Sequence, residues 1–339
     1  MSSVDIGLDL GTANTIITVG GKGIVMNEPS VVAYDKKKKC VLAVGSEAYK
    51  MLGRTPEYIV AVKPLKDGVI SDNEITEEMI CAFIKKVSKS MLLKPRIVIC
   101  VPTSVTDVES RAVVEAALSA GARKVYIIEE PIAALLGAGV DISKPNGTMV
   151  VDIGGGTADV AVVSFNGIVA SESLKVAGNK FDAAIIRYIS QKYKILIGEK
   201  TAEKVKIQLT NIFNPDVTKT MVIKGRHLIK GLPVSETISE LDVFEAVKEL
   251  AFEIIECIKK VFEKTPPELA GDIKQNGIVL TGGGALLGGL PELISSIVKV
   301  PCYVADNPLE CVALGTAVAF KLSEELLDGF ERISLYRYK

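Results

Sequence analysis

Two aspartates close the same short phrase in two places. "VDIGLDLGTANT", from Val4, and "MVVDIGGGTADVAVV", from Met149, each carry an apolar strand into Asp, one further apolar residue and a Gly/Thr turn. Asp9 and Asp152 therefore stand at the mouths of turns whose glycines leave backbone N–H groups open to close approach. Concavities of this kind bind phosphate oxygens. A carboxylate beside them can hold the water shell of Mg²⁺, a hard cation that gives up its waters reluctantly. A third cluster, Gly282, Gly283 and Gly284 after "IVLT", offers a flat backbone surface on which a base or a ribose can lie. One glycine turn is common, but a repeated pair joined by a third describes a clamp for a polyphosphate nucleotide.

Other ways of handling phosphate are missing from the chain. There is no G-x-x-x-x-G-K-[ST], of which Gly198-Glu199-Lys200-Thr201 imitates only the end, and no G-x-G-x-x-G follows a strand. His227, the single histidine, lies in the basic stretch "KGRHLIKG" and reads as a solvated loop residue. The six cysteines form no C-x-x-C pair and several lie in apolar runs, which suits free thiols in a reducing compartment and not a zinc site.

The turns need strands to hold them. Val4 to Leu10 alternates Ile6, Leu8 and Leu10 on one face, and "TIITVG" returns as a hairpin partner. "GIVMNEPSVVAYD" continues in short strands, and "DKKKKC" reads as a solvated hairpin tip. The apolar spacing of Ile80, Phe83, Ile84 and Val87 predicts a helix over 77–90, with acids early and lysines late as the helix dipole favours. "RIVICVP" is then a buried strand, "ESRAVVEAALSAGA" a helix, and "KVYIIEEPIAALLGAG" a strand running into a helix. From Met149 three strands restart the pattern, as an internal duplication would. Helices in "KFDAAIIRYISQKY" and "TAEKVKIQL", a strand-rich insertion at "KTMVIKGRHLIKGLPVSETIS" and a long helix over 240–264 follow. "GIVLTGGGALLGGL", "CYVA" and "ECVALGTAVAFKL" finish as strand, strand and helix, and the alternation indicates α/β layers.

The 339 residues, 48% hydrophobic, can bury a large core in two domains. A net charge of −1 lacks the basic excess of a nucleic-acid binder, so no nucleic-acid partner is expected. The start of the chain lacks a signal-peptide profile, and no apolar run approaches the roughly 20 residues that cross a bilayer. A cytoplasmic chain is expected.

Several phrases closely resemble the MreB family of bacterial actins: "DLGTANT", "GIVMNEPSVVA", "ARKVYIIEEPIAALLGAG", "VVDIGGGTADVAVVS", "IGEKTAEKVKI", "GIVLTGGGALLGGL" and "NPLECVALGTA". The resemblance runs in register from about Val4 to Phe320. It implies an actin-like α/β fold of two duplicated, ribonuclease H-like domains, each with a smaller subdomain, closing on ATP or ADP with Mg²⁺. Domain I is expected over 1–140 with an insertion at about 30–68, domain II over 141–325 with an insertion at about 180–243, and a tail over 326–339. It also implies slow ATP hydrolysis, self-assembly into filaments on the inner face of the cytoplasmic membrane, and cell-shape or morphogenesis proteins as partners.

By the same resemblance, Gly11, Thr12, Ala13 and Asn14 form the first phosphate loop, and Gly154, Gly155, Gly156 and Thr157 the second. Asp9 and Asp152 hold Mg²⁺ through water. In the segment Glu203, Lys204, Val205 and Lys206, Glu203 and Lys206 are the ribose and base contacts, with Gly282, Gly283, Gly284, Ala285 and Leu286 beneath. Glu130 orients the attacking water and Thr157 supplies a helper hydroxyl, in keeping with a reaction that needs a positioned water and neutralised charge. Glu129 competes with Glu130 for that role, and a solvated loop carboxylate before Pro131 is the plain alternative. Three departures bear on the hydrolysis rate: Ala158-Asp159 where Thr-Glu is usual, Ser110 in place of an arginine, and Ala177 in place of a glycine.

"SMLLKPR" places Met91, Leu92 and Leu93 between Lys89 and Lys94, where the family has a loop that dips into lipid. The run reads either as a helix end entering the strand core or as a peripheral membrane contact of apolar side chains and lysines. The tail "LYRYK" reads as an interfacial anchor or a frayed terminus. Two other functions share the fold: a small-molecule kinase, which would need a second substrate pocket, and an Hsp70-like chaperone ATPase, which would need a peptide-binding domain after a linker. Abundant lysine and absent tryptophan match an AT-rich genome, and a wall-less cell in which the protein serves shape or motility.

Overall fold

A computed structural model describes residues 5–66, 68–88 and 94–322. The tail, and Met91, Leu92 and Leu93, lie outside the described residues. The first half opens with three antiparallel strands, β1 (Asp5–Leu10), β2 (Asn14–Val19) and β3 (Gly23–Pro29). A small sheet follows, with β4 (Val32–Asp35) between β5 (Cys40–Val44) and, beyond α1 (Ser46–Met51), β6 (Ile59–Val62). The lysine run forms the exposed β4–β5 turn. β7 (Leu65–Lys66) and β8 (Val69–Ile70) lead to α2 (Asn73–Ser88), which starts a turn earlier than the apolar spacing predicts because Asp72 Oδ1 accepts from the Ile75 N–H at 3.0 Å. Then come β9 (Arg96–Val101), α3 (Asp107–Ser119) behind a Thr106/Glu109 capping box, β10 (Lys124–Glu129) and α4 (Glu130–Gly137) with Pro131 in its first turn.

The second half repeats the plan. β11 (Thr148–Ile153), β12 (Ala158–Ser164) and β13 (Gly167–Leu174) are followed by α5 (Gly178–Tyr193), β14 (Ile195–Leu196), α6 (Glu199–Leu209), β15 (Thr220–His227) and β16 (Pro233–Ser239). α7 (Glu240–Lys264), capped by Ser239 and Asp242, has the span its periodicity predicts. α8 (Pro267–Asn276) was not expected: it is short and polar and buries Ile273 fully, with Pro266-Pro267 as its start signal. β17 (Ile278–Thr281), a 3₁₀ turn over Gly283–Leu286, α9 (Leu290–Val298), β18 (Cys302–Val304) and α10 (Cys311–Leu322) complete the order.

The two large sheets have identical plans. One is ordered β3-β2-β1-β9-β10 and the other β13-β12-β11-β17-β18, each with three antiparallel strands and then two parallel ones. The phrase repeated in the sequence is thus a structural repeat that puts Asp9 and Asp152 near the ends of equivalent central strands.

Both faces of each sheet are covered, so β9, β11 and β12 carry near-continuous apolar runs, broken in β11 and β12 by Asp152 and Asp159. Along β11 and β12, Met149, Val151, Ile153, Val160 and Val162 enter the core under α5 and α7, while Val150, Ala161 and Val163 enter a core shared with Val98 and Cys100 of β9. That shared core contains α4 and α10 and joins the two halves. The helices cross with their backbones in contact: a Cβ on Gly137 would lie 1.7 Å from the Cys311 carbonyl oxygen, and one on Gly315 would lie 1.8 Å from that of Ala133. Among the described residues no helix is long and apolar enough to cross a membrane.

Candidate nucleotide site

The two glycine turns meet. A Cβ on Gly155, after β11, would lie 2.8 Å from Cβ and 3.1 Å from N of Ala13, after β1. Gly155 O accepts from the Asn179 N–H at 2.8 Å and Gly154 O from the Gly178 N–H at 3.1 Å, which fastens the second turn to the start of α5. Gly68 lies over the same turn, where its own Cβ would come within 2.4 Å of Thr157 Cγ2. Thr12 and Thr157 are buried, whereas Ala13 and Asn14 are exposed. Gly282 and Gly284 press on Ile153 at the end of β11, so the third cluster adjoins the second turn.

Carboxylates gather at the junction. Burial pushes Asp9 up to about 7, against a hydrogen bond from the Cys100 thiol that lowers it. Burial likewise pushes Asp152 up to about 7; the Thr281 hydroxyl opposes this, and the charges of Asp159 and Asp9 add to it. Glu130 is raised well above the usual range by burial and then by Asp159, Asp152 and Asp9. These couplings place the four acids in one another's fields. Glu130 is 9% exposed at the first residue of α4, which excludes the solvated-loop alternative. Glu129 feels burial and Asp159 alone, whereas Glu130 also feels the charges of Asp152 and Asp9.

The duplication also supplies a donor to each aspartate. Asp9 is in register with Cys100 on β9, whose Sγ donates to Asp9 Oδ1 at 3.4 Å. Asp152 is in register with Thr281 on β17, whose Oγ1 donates to Asp152 Oδ1 at 2.7 Å. Neither donor was singled out from the sequence. The available signal was their equivalent places in "RIVIC" and "GIVLT", each strand lying parallel to an Asp-bearing strand. Asp159, in register with Asp152 on β12, is fully buried: its Oδ1 accepts from Thr103 N–H and Oγ1 at 3.3 and 3.0 Å, and its Oδ2 has no hydrogen-bond partner among the described residues.

The donor set suits a hydrated divalent ion. Hard oxygen ligands are present and their mutual repulsion favours a cation. Among the described residues no three His, Cys, Asp or Glu side chains form a direct metal-ligand set, so such an ion would be held through its waters.

Beside the turns, α6 presents Glu203 and Lys206 three residues apart. Lys206 Nζ donates to Gly178 O at 3.1 Å and pairs with Asp182 at 3.0 Å, and Glu203 Oε2 accepts from the Tyr49 hydroxyl at 3.0 Å. The two residues between them turn elsewhere: Val205 is fully buried in the core under α5 and Lys204 is exposed. Ala285 is buried and Leu286 is 58% exposed.

Two lobes of one plan, with acidic glycine turns facing each other between them, define an actin-like fold. The chain belongs to the MreB/Mbl family, whose model, described as MreB/Mbl protein, matches residues 3–327. It is 52% identical over 334 residues to the cell shape-determining protein Mbl of Bacillus subtilis, covering 98% of both chains. Its identity to the cell shape-determining protein MreB of Escherichia coli K12 is 47% over 328 residues, covering 95% of this chain and 94% of the other. The crystal structure of MreB5 of Spiroplasma citri bound to ADP superposes with a TM-score of 0.91 at 39% identity, covering 96% of this chain and 99% of that one. MamK, solved as a double helical filament, shares the fold with a TM-score of 0.81 at 23% identity, over 94% of this chain and 99% of MamK.

Proposed function

We propose that this chain binds ATP and ADP with Mg²⁺ between its two lobes, hydrolyses ATP slowly, and assembles into filaments that govern cell shape. The observation that carries this reading is the meeting of the Asp9 and Asp152 turns, with buried Glu130 in the field of both aspartates. MreB5 of S. citri, which resembles this chain along nearly its whole length, has been solved with ADP and with AMPPNP.

On this reading N–H groups of the two turns, residues 11–14 and 155–157, cradle the phosphates, while the Gly154 N–H closes the second turn on the Thr157 carbonyl. Asp9 and Asp152, held by Cys100 and Thr281, accept from the metal's water shell. A divalent ion there supplies charge neutralisation at the γ-phosphate. Glu130 must ionise to take a proton from water, and the crowd of acids around it opposes that until positive charge arrives. Hydrolysis is thereby tied to a fully loaded site. Thr157, buried at the second turn, offers its hydroxyl to the same water.

Sedimentation with ATP and Mg²⁺, with phosphate release measured in parallel, tests the reading. The wild type pellets as filaments, and Glu130→Ala retains nucleotide and still pellets while its phosphate release falls about a hundredfold. Loss of nucleotide binding in that variant would instead make Glu130 a binding residue, and a wild type that neither binds nucleotide nor sediments would end the proposal.

Attachment to the inner face of the cytoplasmic membrane belongs to the same reading. Its support is the apolar run Met91, Leu92 and Leu93 between Lys89 and Lys94. Co-sedimentation with anionic vesicles is expected of the wild type and is lost in Leu92→Glu with Leu93→Glu; unchanged co-sedimentation removes the assignment.

A further inference from the structure

A tyrosine links α1, beside one small sheet, to α6, beside the other, across the cleft. Tyr49 lies on α1, beside β4 and β5, and reaches α6 on the other lobe. Its hydroxyl donates to Glu203 Oε2 at 3.0 Å, its carbonyl oxygen accepts from Lys200 Nζ at 2.7 Å, and the same ammonium sits 4.2 Å from its ring centroid. Lys63 and Glu199 make a further pair across the gap at 3.5 Å, too exposed to count for much. Burial and then the charge of Glu203 push the Tyr49 phenol up to about 12, so it keeps its proton and stays a donor at neutral pH.

One carboxylate thus serves both lobes. Oε2 of Glu203 is taken by the opposite lobe, which leaves Oε1 to accept from a ribose hydroxyl. One helical turn on, Lys206 is fastened to Gly178 and Asp182 beside the second phosphate turn, so the frame around Glu203 is fixed on its far side as well. Without the phenol, the carboxylate would turn freely about its side-chain bonds.

We infer that Tyr49 is a positioning residue for ribose: by holding Glu203 across the closed cleft, it sets how strongly the site distinguishes a ribonucleotide from its deoxy analogues. The inference rests on Glu203 being the ribose contact of the proposed ATP site. It predicts that recognition of the sugar is complete only when the small sheets are joined, because the orienting hydroxyl comes from the lobe opposite to the carboxylate.

The test compares equilibrium binding of ATP, 2′-deoxy-ATP and 3′-deoxy-ATP, each with Mg²⁺, to the full chain and to Tyr49→Phe and Glu203→Gln. Tyr49→Phe keeps the ring under Lys200 and removes only the hydroxyl, so the contact between α1 and α6 persists. The wild type is expected to favour ATP over at least one deoxy analogue by about tenfold, the scale of a hydrogen bond to a charged acceptor. In Tyr49→Phe that preference shrinks to about twofold and bound nucleotide leaves faster. A general loosening of the fold would weaken all three ligands alike and leave their ratio unchanged. A retained preference in Tyr49→Phe overturns the inference and leaves the ATP site standing. If Glu203→Gln binds all three as the wild type does, Glu203 is not the ribose contact and the inference falls with that assignment. A wild type that binds none of them removes the proposed function itself.

Discussion

Asp152→Asn is expected to raise the melting temperature of the nucleotide-free protein at pH 8 while weakening retention of ATP with Mg²⁺ by about a hundredfold. Asp152 is 5% exposed and burial pushes its carboxyl up to about 7, so at pH 8 the fold carries a buried charge in the field of Asp159 and Asp9. Asparagine keeps the shape and the oxygen that accepts from Thr281, and it removes the repulsion. The sign follows from linkage: a carboxyl whose folded pKa lies above its unfolded value stabilises below about 4, and that contribution disappears as pH rises through about 7. The gain from the variant should therefore shrink as pH falls from about 7 and vanish only below about 4, where the wild-type group is protonated in both the folded and the unfolded chain. Asp9, also near 7, gives the nucleotide-free wild type a further loss of stability over the same window. Asp242 acts oppositely: burial raises it, but hydrogen bonds from Lys192, Ser239 and Tyr193 prevail and hold it at about 2, so its contribution is lost as pH falls from about 4 towards 2. Thermal melts of both proteins from about pH 2 to pH 8, with Mg²⁺ and ATP added in parallel at neutral pH, check each part. An Asp152→Asn variant that melts below the wild type at pH 8 would show the carboxylate to be already compensated in the fold.

Gly315→Ala should be among the most damaging single-methyl additions in the chain. The new Cβ would fall 1.8 Å from the Ala133 carbonyl oxygen and 2.5 Å from its carbon, so no rotamer change relieves it and one helix must move off the other. Overpacking of this kind costs about 3 kcal/mol or more, against about 1 kcal/mol regained from better helix propensity. A fall in melting temperature of about 5 °C is expected. Gly271→Ala in α8 is the matched control, since nothing lies within 4 Å of its added Cβ; it should be neutral or slightly stabilising. Equal melting of the two variants would mean that α4 and α10 have room to separate.

Much of this architecture could be read from the sequence because its signals are local. The echo of Val4–Thr12 at Met149 announced two sheets of one order, and the spacing of apolar residues fixed both ends of α7. The early start of α2 was missed because an Asp side chain, not an apolar face, nucleates it. α8 was missed because ten mostly polar residues show little periodicity. At the site, the glycine turns and their aspartates were visible as motifs, whereas the Cys100 and Thr281 donors depend on strand register and could not be seen before the sheets were assembled. The helical period alone separates Glu203 and Lys206 from Lys204 and Val205 between them, since residues one or two apart on a helix face different ways. Tyr49 carried no signal at all: its partner is 154 positions away, in the other half of the duplication.

The backbone crossing of Gly137 and Gly315 has a bearing on traffic through the cleft. At its floor the two halves are joined main chain to main chain, with no side chain able to swing aside; at its rim they are joined by a phenol, two ammonium groups and two carboxylates, each able to let go separately. On the proposed reading a nucleotide would come and go by way of the rim, the close crossing at the floor being the harder of the two to part. A neighbouring subunit that gripped both small sheets at once would imprison whatever the cleft contained, and turnover of spent nucleotide would then fall to subunits whose rims are uncovered.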